Sequence, residues 1–103
     1  MPDPRIFPIV SVNDTFATVT GVSAIALAAN GNRADTDFIN DSDCGIYLSR
    51  GNAAVIGSGE YLVPNGGSYH IGTNNLFLGD IYAISDGGEQ VECNLCISEG
   101  NRP

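Results

Sequence analysis

Along most of the chain, apolar and polar residues alternate in short bursts rich in Val, Ile, Thr, Tyr and Phe. Gly, Asn, Asp and Pro separate the bursts about every eight to twelve residues. A strand sends successive side chains to opposite faces, so this period of two marks half-buried β-structure. It predicts strands over residues 9–12, 16–21, 23–28, 36–40, 45–49, 61–63, 68–71, 81–85 and 90–97, the first shading into an N-terminal arm. Asn30-Gly31, Asn65-Gly66-Gly67 and Asp86-Gly87-Gly88 supply residues that tolerate positive φ at the reversals. The expected fold is therefore all-β. It is a single antiparallel β-sandwich or barrel-like domain of about seven or eight short strands over residues 9–103, preceded by an extended Pro-rich arm over residues 1–8.

Two segments sharpen this picture. Residues 22–30, VSAIALAAN, are alanine-rich enough for a helix. They are too few for a stable isolated one, and their apolar positions run on without forming a stripe, so a strand is expected. In the last segment Val91, Cys93, Leu95 and Ile97 fall on one face and Glu92, Asn94, Cys96 and Ser98 on the other, which places Cys93 in the core and Cys96 outside.

The composition narrows the function. A chain of 103 residues buries about 65% of the surface it exposes when unfolded, enough for one modest core and too little for a multi-part enzyme. With 43% apolar residues it should fold, and 13 glycines favour turns over long helices. Twelve carboxylates face four arginines, Arg5, Arg33, Arg50 and Arg102, and no lysine, for a net charge of -8. Such a surface repels phosphates, which argues against nucleic acid and anionic membranes as partners. No apolar run is long enough to span a bilayer, and the opening Met-Pro-Asp-Pro lacks the basic and apolar regions of a signal peptide. Cytoplasmic synthesis and reduced thiols are expected.

Several constellations carry possible chemistry. Cys44, His70, Cys93 and Cys96 are the residue types of a tetrahedral zinc site, but Cys93 and Cys96 lie inside an alternating strand that sends them to opposite faces. No metal or other cofactor is expected. A redox role for the same C-x-x-C fails because Glu92 and Glu99 surround it where a reactive thiolate needs positive charge. Cys44 and His70 could in principle pair as nucleophile and base, yet His70 in Ser-Tyr-His-Ile reads as a half-exposed strand residue. Asp35, Asp37, Asp41 and Asp43 are dense but lack the order of a calcium loop, and Asp41-Ser42-Asp43 reads as a hairpin turn. Gly57 and Gly59 in IGSGEY lack the Lys-Ser/Thr of a phosphate loop. With no convergent acid, base and nucleophile, an enzyme is not expected. Tyr47, Tyr61, Tyr69 and Tyr82 could act as stacking platforms for a sugar on a receptor-binding tail module.

One ordered series stands out: Asn30-Gly31-Asn32-Arg33, Phe38-Ile39-Asn40-Asp41-Ser42, Gly45-Ile46-Tyr47-Leu48, Leu62-Val63-Pro64-Asn65-Gly66-Gly67-Ser68-Tyr69 and Gly79-Asp80-Ile81-Tyr82-Ala83-Ile84-Ser85. It resembles a family of small β-sandwich structural proteins of tailed bacteriophages, found as head decoration or accessory virion proteins. The likeness covers residues 15–98, with Ile46-Tyr47-Leu48 and Ile81–Ile84 as central strands. The chain departs from it at Thr36, where an apolar residue is usual, and at Cys93 and Cys96.

The resemblance implies a capsid decoration or cement protein that binds the outer surface of the mature head, with the major capsid protein as partner and a homotrimer as the expected state. The arm residues Pro2, Pro4, Arg5, Ile6, Phe7 and Pro8 are the candidate partner-binding residues, since prolines already restrict the chain and little entropy is lost on docking. A chain without lysine to guard its sheet edges should have at least one edge covered by another subunit.

Overall fold

A computed structural model of the protein describes residues 9–103; the expected arm over residues 1–8, with Pro2, Pro4, Arg5, Ile6, Phe7 and Pro8, lies outside the described residues. The described chain forms eight strands: β1 (Ser11–Val19), β2 (Ala24–Leu27), β3 (Arg33–Asn40), β4 (Ile46–Arg50), β5 (Glu60–Leu62), β6 (Ser68–Ile71), β7 (Ile81–Ser85) and β8 (Cys93–Asn101). A 3-10 turn at Thr73–Asn75 is the only helical element among the described residues. The strands make two four-stranded antiparallel sheets, ordered β1-β8-β3-β6 and β2-β7-β4-β5. The all-β expectation holds, and β4 and β7 are central as their apolar sequences imply.

The differences are instructive. The segments expected at 9–12 and 16–21 form one strand, β1, because Asn13 and Asp14 continue the pairing to Glu99 and Ser98 without a break. β8 begins three residues later than expected and runs on to Asn101, leaving Val91 exposed ahead of it. Asp41-Ser42-Asp43 is not a hairpin turn, for it carries the chain from β3 in one sheet to β4 in the other. Every connection except β4–β5 crosses between the sheets in this way.

The crossings are built from local hydrogen bonds. Asn40, fully buried, donates from Nδ2 to the carbonyls of Cys44 (2.6 Å), Leu62 and Val63 and accepts from Ser42 Oγ at 2.6 Å, so one amide ties two crossings together. Asn65 (φ 59) and Gly66 (φ 116) take the left-handed conformation that reverses the chain between β5 and β6. The Asn30-Gly31 reversal does not use positive φ: Asn30 Oδ1 accepts from the Asn32 N–H and Asn30 O from the Arg33 N–H, a side-chain-supported turn.

Between the sheets lie Phe38, Ile46, Leu48, Leu62, Ile71, Ile81, Leu95 and Ile97, all at most 3% exposed. Burying each such side chain contributes about 1.5–3 kcal/mol, and truncating Leu95 to alanine should cost about 2–5 kcal/mol. Two buried hydroxyls, Thr36 Oγ1 and Ser85 Oγ, have no hydrogen-bond partner.

At one end of the sandwich the core is sealed by a charge. A bulge between Arg33 and Thr36 adds one residue to β3 opposite Asn101 and Glu99, which turns Arg33 inward. Its guanidinium, 0% exposed, donates to Glu99 Oε2 (2.8 Å), to the carbonyls of Phe77 and Gly79 (both 2.8 Å) and to that of Ala28 (2.7 Å). Two connections, β2–β3 and β6–β7, and β8 thus meet on one side chain.

Candidate protein-binding faces

The strand register turns single outward residues into rows. On the outer face of the β1-β8-β3-β6 sheet, Phe16, Cys96 and Ile39 stand side by side, ending at Ser68. The next row holds Asp14, Ser98 and Asp37, ending at His70. Between and over them runs an open groove of about 510 Å³. Phe16 is 70% and Ile39 45% exposed, so this is apolar surface left in water beside carboxylates.

His70 closes one side of the face. Its Nδ1 lies 2.7 Å from Asp37 Oδ1 and its Nε2 2.9 Å from Asp35 Oδ1, an arrangement that only the imidazolium, with an N–H on each nitrogen, satisfies fully. The hydrogen bond to Asp37 raises its pKa above the ordinary 6.5; burial opposes it, and the charges of Asp37 and Asp35 add to the rise.

β1 is also an edge. Among the described residues its nine residues pair only with β8, in continuous register with no bulge, no proline and no lysine. Val12 is 54% exposed and Val10, just before the strand, 60%. The other edges, β2, β5 and β6, are three or four residues long.

The other sequence candidates are dispersed. Cys93 lies in the core and Cys96 on the outer face, as alternation predicts, and His70 sits on β6 across that outer face, so the cysteine and histidine quartet does not converge. Cys44 instead meets Cys93. The hydrogen bond between these thiols, followed by burial and the charge of Asp43, pushes the Cys44 thiol up to about 12, an inert group at neutral pH. Asp35 and Asp37 serve His70 while Asp41 and Asp43 belong to the β3–β4 crossing. Among the described residues no group of three or more His, Cys, Asp or Glu is placed to hold a metal ion. Gly57 and Gly59, at φ 89 and 86, are turn residues between β4 and β5.

Three of the four tyrosines share the outer face of the second sheet. Tyr47 and Tyr61 are a cross-strand pair with ring centroids 4.7 Å apart, and Tyr82 lies on β7 beside Ser49. Tyr69 faces inward instead, stacked on Phe38 at 6.3 Å. Gly45 leaves room for the Tyr61 ring, since a Cβ there would stand 2.7 Å from it.

No family model, no curated protein and no solved structure matches this chain. The groove, the His70 bridge and the Arg33 seal have no signal in local sequence. Each depends on which strands become neighbours, and only an outward Phe16 beside Asp14 hints at the first.

Proposed function

We propose that this protein is a virion structural protein of a tailed bacteriophage, most specifically a capsid decoration protein. It binds the outer surface of the mature head and stabilises contacts between subunits of the major capsid protein. The reading is supported by the sequence resemblance and by one structural observation, the long edge of β1, which has no second neighbour among the described residues. A bare edge presents a row of backbone donors and acceptors, and adding a partner strand to it gives affinity through main-chain hydrogen bonds. Val12 and Phe16 supply exposed apolar anchors along it. The net charge of -8 suits a surface that faces solvent and avoids packaged DNA. In this reading the protein acts as a homotrimer, so that several weak attachments combine, and it has no catalytic role.

The test is co-sedimentation of the full chain with expanded heads and with unexpanded precursor shells. Binding only to the expanded form, with a higher temperature of shell disruption, is the expected result, because a ligand of one state stabilises that state. Removal of residues 1–8 should weaken attachment. No binding to either shell would exclude the proposal.

A second reading, recognition of a host-surface glycan from a tail or fibre, is favoured by the exposed Tyr47–Tyr61 pair. Glycan binding by the isolated chain, lost in Tyr61→Ala, would select it.

A further inference from the structure

We infer that the groove over Asp14, Phe16, Asp37, Ile39, Cys96 and Ser98 receives the Arg5-Ile6-Phe7 segment of a second copy of this chain, linking copies head to tail. This rests on the homotrimer of the reading above and assigns the arm to the contact between its copies.

Charge complementarity carries the first part. The groove is lined by Asp14 and by Asp37, whose Oδ1 His70 already holds, so Asp14 is the carboxylate left for an incoming cation; Arg33 is buried on Glu99, Arg50 pairs with Glu60, and Arg102 donates to the Gly31 carbonyl. Arg5 is the cation that lies ahead of the sandwich, next to Ile6 and Phe7. Spacing carries the second part. The acidic and apolar rows are two strand residues apart, roughly 6.6–6.8 Å, and Arg5 and Phe7 are two residues apart in sequence, the spacing that points both side chains the same way when such a segment docks extended. Arg5 over Asp14 then sets Phe7 over Phe16, Cys96 and Ile39. Pro2, Pro4 and Pro8 have no N–H to give a ladder, so a side-chain groove suits this segment better than a bare strand edge.

Direction excludes the chain's own groove. At Ile9 and Val10 the chain enters at the Gly100–Asn101 end of β8, with the Val10 N–H donating to the Asn101 carbonyl at 2.9 Å, and it then runs along the sheet toward the groove. Ile9, the first described residue, therefore stands at the end of the sheet away from the groove. Between Arg5 and Val10 there is no glycine, asparagine or aspartate to reverse the chain, and a residue before proline, here Phe7, is biased to extended backbone. A groove on a neighbouring molecule needs no reversal.

The experiment is sedimentation velocity on the full chain, alone and as Arg5→Glu and Asp14→Arg variants, Asp14 being exposed on the outer face of β1. The wild type should self-associate as concentration rises to about 100 µM, and each variant should raise the dissociation constant about tenfold or more. Mixing the two variants should produce a heterodimer, because the intact arm of Asp14→Arg fits the intact groove of Arg5→Glu. Cys96, inside the groove, should alkylate more slowly in the associated wild type than in either variant. A wild type that stays monomeric, an unchanged dissociation constant for Arg5→Glu, or a mixture without heterodimer would overturn the inference. No shell is present in this assay, so its failure and a failure of head binding are separate results.

Discussion

Replacing Arg33 with methionine keeps much of the side-chain volume and deletes the charge that seals one end of the sandwich. Glu99, 6% exposed, then loses the partner at 2.8 Å that compensates its burial. Stranding one member of a buried pair costs about 3–5 kcal/mol. The carbonyls of Ala28, Phe77 and Gly79 also lose their donor, but they sit at the rim and regain water, adding about 1 kcal/mol in all. The total, about 5 kcal/mol, is comparable to the whole stability of a marginal domain of this size, which lies at about 5–15 kcal/mol. Urea titration followed by circular dichroism should show the midpoint fall sharply, and the melting temperature should drop by roughly 20–30 °C. Adding Glu99→Leu to Arg33→Met removes the stranded carboxylate and should recover about 4 kcal/mol, leaving only the carbonyl loss of about 1 kcal/mol. A single variant that loses less than about 1 kcal/mol, or a double variant no more stable than the single, would refute the account of Arg33 as a seal held by charge.

Thr36→Val removes a buried hydroxyl that has no partner and should stabilise the protein by about 1 kcal/mol, seen as a melting temperature about 4–8 °C higher. His70 should titrate by NMR with a midpoint above 6.5, and Asp37→Asn should lower that midpoint more than Asp35→Asn does, since the hydrogen bond to Asp37 is the largest cause. Because the folded value is the raised one, the stabilisation from this bridge is complete below 6.5 and fades as pH climbs through the folded value; both carboxylates are half exposed, so the fading is shallow. Iodoacetamide at mildly alkaline pH should modify Cys96 ahead of Cys44 and Cys93; the Cys44 thiol is pushed up to about 12 and Cys93 is 1% exposed. Mass mapping that finds Cys44 labelled first would contradict the core placement.

The strands were legible because alternation is a local property: Cys93, Leu95 and Ile97 declare an inner face whatever they pair with. The crossings were not. Asn, Asp and Gly serve hairpins and inter-sheet arches alike, so Asp41-Ser42-Asp43 looked like the former, and only the buried Asn40 amide, bonded to Cys44, Leu62 and Val63, shows the latter. Arg33 resembled any surface cation because the bulge that turns it inward is a property of its pairing with β8. The outer groove was hidden for the same reason, since Phe16, Cys96 and Ile39 become neighbours only through register.

The weave of the chain between layers also sets when it can fold. β8, last of the eight strands in order, lies between β1 and β3 in the middle of its sheet, so the first strand has no edge to join until the last one arrives. Completing that sheet gathers segments about 80 residues apart, and pairing this non-local places folding on the order of milliseconds to seconds. During synthesis a ribosome would carry the whole sandwich as an unfinished chain, its apolar strands exposed, until Cys93–Asn101 clears the exit tunnel.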